Sequence, residues 1–314
     1  MKTRIIHHLL RISISLAFIL IISRMIEVQL LKDVVRQVRL DIILLAALVY
    51  FGNIAIRAWR LRAILNKDRQ LIGFRDAYLL TLMGVALNIV VPATLGDLAR
   101  AYYGYKIYGL KEEILSTALV DKLFALSSLF LLGAGSGYVM HYAALASVSL
   151  LCALLTLLPL TFPQCIPWKS VNRLLRLVKK SLDIEKLLTA GTLPARLNVL
   201  LMLISLAGWF STCFFFYVVC RAFPVTVSFG YVILIMPLLT LVRLFPFTFN
   251  ALGPMEVAVV HLFGQLGIAP TVAVLISLTS NVLASLVPGC LGFILIFMLG
   301  HGDKGHADLR LPKS

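Results

Sequence analysis

Residues 243–281 read RLFPFTFNALGPMEVAVVHLFGQLGIAPTVAVLISLTSN. The stretch is apolar enough to sit in a membrane, yet Pro246, Gly253 and Pro254 interrupt it and Glu256 stands just past the interruption. Proline removes a backbone donor and glycine disfavours helix, so a helix carrying Arg243 must stop and restart. In hydrocarbon such a break survives only where protein or a water-filled cavity satisfies the freed backbone groups. A carboxylate at that depth is by default a sign of a working site. The stretch predicts a broken helical hairpin that enters and leaves a membrane on one side.

The rest of the chain supplies the membrane. Its 314 residues are 60% hydrophobic and only 14% charged, and the mean hydropathy is +0.96, against the roughly 25% charged residues of soluble domains. The net charge of +15 sits in gaps between apolar segments, where the positive-inside rule and anionic headgroups account for it. Nucleic acid is therefore not the expected partner. The five cysteines are scattered without a Cys-x-x-Cys pair, and there is no His-Glu-x-x-His, phosphate loop or Gly-x-Ser-x-Gly elbow. No metal, cofactor or catalytic constellation is expected, and the chain reads as a non-enzyme.

About 20 apolar residues cross a bilayer as a helix. Six runs qualify, at 9–26, 41–58, 113–138, 142–162, 196–221 and 271–299. The first lacks a small-residue cleavage site and reads as a retained helix. The connectors 57–76 and 169–196 are strongly basic and should face the cytoplasm, whereas 24–41 is nearly balanced. Between those basic connectors, 113–138 and 142–162 already cross out and back. The segment 76–112 must then start and end on the cytoplasmic side, as a re-entrant hairpin turning near Pro92–Asp97. The same count places 229–267 as a second hairpin entering from the opposite side. Within the basic connector, 171–188 alternates apolar and cationic faces as an interfacial amphipathic helix does.

The two hairpins share a pattern. Pro92, Gly96 and Asp97 in the first match Pro246, Gly253, Pro254 and Glu256 in the second, and each acid precedes a helix with a polar pair at depth, Asp121-Lys122 and Ser280-Asn281. Opposite entry with shared pattern predicts an inverted repeat, with halves at 41–162 and 196–299 joined by 163–195 in one membrane domain. The expected fold is an all-α polytopic membrane protein with about six full spans and two oppositely oriented re-entrant hairpins.

Seven residues are the candidate binding set: Asp97, Arg100, Asp121, Lys122, Arg243, Glu256 and Asn281. Asp97 and Arg100 are three apart and share a helix face, either as a polar site or with Asp97 as a surface helix cap. Asp121 and Lys122 are adjacent and point apart, so at least one needs a partner elsewhere, with Asp97, Arg100 or Glu256 as candidates; a buried tertiary salt bridge is the other reading. Arg243 ends one limb and Glu256 opens the next, which suits either an anion site or a hairpin-tip cap.

At these residues the sequence resembles a known family. LNIVVPATLGDLARAYY followed by STALVDKLFAL, and FPFTFNALGPMEVAVVHLFGQLGI followed by a polar-punctuated helix, look like the lysylphosphatidylglycerol synthase transmembrane region family, also called flippase-like domain proteins. The resemblance covers about 9–299. It implies movement of a lipid between leaflets, and in bifunctional members a separate soluble domain makes that lipid. With Ser314 fourteen residues past Gly300, no aminoacyltransferase is expected here. Asp97 stands where that family commonly has Glu, and Asn281 where a charged residue is usual. The expectation is thus an inner-membrane protein with both termini cytoplasmic that translocates a phospholipid or polyprenyl-phosphate-linked lipid. Its partners would be anionic headgroups and lipid- or glycan-synthesis enzymes. The alternative is a non-transporting scaffold for envelope synthesis.

Overall fold

The computed structural model describes residues 26–90, 112–161, 193–244 and 252–301, with positions 20, 23, 24, 103, 104 and 106 besides. Every regular element among them is helical: α1 Val28–Gln37, α2 Leu40–Leu65, α3 Phe74–Val90, α4 Glu112–Val139, α5 Ala143–Thr161, α6 Ala195–Arg221, α7 Phe229–Leu244, α8 Pro254–Gly264, α9 Pro270–Asn281, a π-helical turn Val282–Leu286, and α10 Val287–His301. Five helical stretches are long and apolar enough to cross a membrane: Leu40–Leu65, Thr117–Val139, Ala143–Thr161, Ala195–Arg221 and Pro270–Met298. They match five of the six expected spans. The sixth, 9–26, lies almost wholly outside the described residues, as do the second limb of the first hairpin and the amphipathic stretch 171–188.

One boundary differs from expectation in a way that matters. Nothing between Arg57 and Leu65 breaks a helix, so α2 runs on to Leu65 and takes Arg57, Arg60 and Arg62 with it. The basic connector therefore starts at Asn66, whose side chain folds it: Oδ1 accepts from the backbone N–H of Leu71 and Ile72, and Nδ2 donates to Ile72 O at 2.9 Å.

The second hairpin is antiparallel. Tyr231, near the start of α7, donates its hydroxyl to Leu262 O, near the end of α8, at 2.7 Å. With 16 and 11 residues, α7 and α8 reach only about 24 and 16 Å, short of the ~30 Å hydrocarbon core. A short turn through Gly267, at φ +73°, then leads into α9. The 12 residues of α9 rise about 18 Å, which sets Asn281 roughly half way along the span. There the helix widens: Val287 N–H donates to Val282 O five residues back, because Pro288 has no N–H and its ring crowds the preceding turn.

The helices pair in a regular way. The two long helices α2 and α6 pack on each other; α3 packs on α2 and α10, while α7 packs on α6 and α4. Both of the outer contacts are made over a glycine. A side chain at Gly133 in α4 would meet the ring of Pro237 in α7, and one at Gly292 in α10 would strike Ala86 and the carbonyl of Leu82 in α3. Helices approach this closely in a membrane only across small residues. Gly292→Ala is accordingly expected to cost about 1–3 kcal/mol by overpacking, read as a lower melting temperature of the purified protein in detergent. Gly135→Ala, where nothing lies within 4 Å of the added carbon, should be neutral or slightly stabilising.

Candidate functional site

The tip of the α7–α8 hairpin is built around one carboxylate. Gly253 adopts φ +99°, a backbone state that side-chain-bearing residues resist, and Pro254 follows at the first helical position. This geometry starts α8 abruptly and puts Glu256 at its third position, from which the side chain folds back: Oε2 accepts the Gly253 N–H at 2.5 Å. The other oxygen, Oε1, accepts from Ser277 Oγ at 3.2 Å and from Asn281 Nδ2 at 3.1 Å. Ser277 and Asn281 are four apart on α9, so they share the face that meets α8. Glu256 is fully buried, and Ser277 and Asn281 nearly so.

Arg243 completes the group from the last turn of α7. Its Nη2 reaches the Asn281 side-chain oxygen at 3.5 Å, at the limit of a hydrogen bond, and among the described residues no other hydrogen-bond acceptor meets the guanidinium. The chain of contacts runs Gly253, Glu256, Asn281, Arg243. The amide of Asn281 is thereby oriented from both sides, its NH2 given to the carboxylate and its oxygen turned to the cation. Among the described residues of this helix break, Arg243 is the group that has donors to offer an incoming anion.

A second buried polar group lies in the first half. Arg60 of α2 donates from Nε to Asp121 Oδ1 at 2.5 Å and from Nη1 to Ser205 Oγ of α6 at 3.1 Å. Asp121 thus takes a partner that sequence had placed in the connector. Lys122 is half-buried beside it on α4. Pro92, Gly96, Asp97, Arg100 and Pro246 fall outside the described residues. Of the seven candidate residues, the structure brings Arg243, Glu256 and Asn281 together, and sets Asp121 in a helix interface with Arg60. Sequence reasoning missed Ser277, Arg60 and Ser205. The first was legible as the residue one turn before Asn281, and the second from the unbroken helical run through Leu65. Among the described residues no three His, Cys, Asp or Glu side chains gather as metal ligands.

Fold and site together define a polytopic α-helical membrane protein with a broken hairpin whose tip carries a buried carboxylate–amide–arginine relay. The chain belongs to the family described as the lysylphosphatidylglycerol synthase TM region, whose model matches residues 8–292. It is 26% identical over 283 residues to a UPF0104 membrane protein of Methanothermobacter thermautotrophicus, covering 81% of this chain and 82% of that protein. No solved structure matches.

Proposed function

We propose that the chain moves a phosphate-bearing lipid, a phospholipid or a polyprenyl-phosphate-linked lipid, between the leaflets of the cell inner membrane. The carrying observation is Arg243. A charge at mid-bilayer costs about 2.5–3.5 kcal/mol on insertion scales, and this one is held at a hairpin tip with, among the described residues, a single long bond to Asn281. Its remaining donors have the planar fork that binds phosphate oxygens. The family name, with its phospholipid synthase, supports a lipid as the ligand.

In this reading α7–α8 is a re-entrant hairpin entering from the outer side, α3 opens its counterpart from the cytoplasmic side, and both chain termini are cytoplasmic. The basic connectors support that orientation. Binding and release of the headgroup need no bond chemistry, so the protein acts as a transporter and not as an enzyme. Lipid- or glycan-synthesis enzymes would be its partners.

The test is leaflet exchange of fluorescent phosphatidylglycerol in vesicles containing the purified protein. Loss of one charge-assisted contact is worth about tenfold or more, so Arg243→Gln should slow exchange by at least that factor. An unchanged rate would overturn the assignment. Wild-type protein that retains the lipid but never moves it would favour the scaffold reading.

A further inference from the structure

The contact between α2 and α6 has an unusual register. Asn53 Nδ2 donates to Gly208 O at 2.6 Å, and these residues stand 155 positions apart, as do the starts of α2 and α6, Leu40 and Ala195, and the starts of α3 and α7, Phe74 and Phe229. A residue meets its own counterpart only where a two-fold axis passes between them. The glycine seats obey the same operation: Gly133 lies against Pro237 and Gly292 against Leu82. Pro237 and Leu82 are again 155 apart, and the glycines 159. Contacts between elements follow suit, with α3 on α10 answering α7 on α4, and α2 on the π turn answering α6 on α4.

Carried to the site, this register assigns two members of the relay, Arg243 and Asn281, a counterpart. Arg243 on the first limb of its hairpin corresponds to Asn88 on α3, and Asn281 on the deep helix corresponds to Lys122 on α4. The chemistry is conserved while the positions are exchanged: cation on the limb and amide at depth in one half, amide on the limb and cation at depth in the other. Asn88 and Lys122 are both half-buried. Asn88 precedes Ile89, which seats on Gly289 just past the π turn, so this end of α3 also arrives near the middle of the membrane span.

We infer that Asn88 and Lys122 form a second headgroup-phosphate site, related to the Arg243–Asn281 site by the two-fold and facing the opposite leaflet. A lysine ammonium serves a phosphate as a point charge and the amide supplies a directed donor. The protein then carries two sites for the lipid-borne phosphate, one for each side of the membrane. The inference rests on reading Arg243–Asn281 as a headgroup site.

Native mass spectrometry of the full chain released from vesicles of phosphatidylglycerol and a phosphate-free diacylglycerol glycolipid tests it. Wild type should retain two phosphatidylglycerols, Lys122→Gln and Arg243→Gln one each, and the double variant none. Arg243→Asn combined with Asn281→Lys installs the first-half arrangement in the second half, and should restore the lipid that Arg243→Asn loses. That gain cannot come from a misfolded protein. One lipid lost with Arg243→Gln but none with Lys122→Gln would overturn the second site and leave the first standing. No preference of wild type for phosphatidylglycerol would overturn the first-site reading itself. Displacement by excess free glycerol phosphate would overturn the lipid as the ligand.

Discussion

Asp121→Ala is expected to lower stability by about 3–5 kcal/mol, the cost of breaking a buried ion pair from one side. Arg60 is buried where α2, α4 and α6 meet, with only 8% of its side chain exposed, and gives Nε to Asp121 and Nη1 to Ser205. Removing the carboxylate strands a guanidinium that cannot deprotonate and has few routes to water. The remedy distinguishes structure from function. Replacing both partners with apolar groups of similar volume, Arg60→Met with Asp121→Leu, should recover most of the loss, since a dry interface needs no compensation for charges it does not hold. If the pair is structural, the double variant also keeps lipid exchange near wild-type rate. Thermal melting in detergent and the vesicle assay read the two outcomes. A single Asp121→Ala that melts like wild type would refute the pair's structural weight, and a stable but inactive double variant would return Asp121 to the lipid path.

That pair marks where sequence stopped being informative. Apolar runs of spanning length are visible in composition alone, because a bilayer permits so few backbone states; five of the six expected spans appear, four of them within a few residues of their predicted limits and the other running on to Leu65. Pro and Gly likewise announce the hairpin break, since their backbone chemistry is local, and Glu256 at the third position of α8 follows from Gly253-Pro254 before it. The partners of buried charges are another matter. Arg60 and Asp121 are 61 positions apart, and nothing local says that an arginine in a basic cluster turns inward. Helix continuity past Arg57 was the usable clue, and it was outweighed by the rule that basic residues mark cytoplasmic loops. Ser277 shows the opposite case, a residue whose role is fixed by simple i, i+4 spacing once Asn281 is taken seriously.

Glu256→Ala is expected to abolish lipid exchange while leaving Arg243 in place. Among the described residues the carboxylate serves three donors, the Gly253 N–H, the Ser277 hydroxyl and the Asn281 amide, and touches no cation directly. Its work is to position: it fixes the first turn of α8, ties that turn to α9, and turns the Asn281 oxygen toward Arg243. Each donor left without a partner at this depth costs about 1–3 kcal/mol, so the variant should also melt earlier. Glu256→Gln separates positioning from proton carriage. The glutamine oxygen can still accept from Ser277 and Asn281, but its NH2 faces the Gly253 N–H, donor against donor. A positioning role predicts partial activity with an unaltered pH profile, and partial retention of phosphatidylglycerol at the Arg243 site. A proton-carrying role predicts that Glu256→Gln removes the dependence of exchange on pH altogether, and that result would refute the positioning account. The distinction bears on mechanism: if Glu256 only holds the relay, then driving force for movement must enter through the lipid gradient or through groups outside this hairpin.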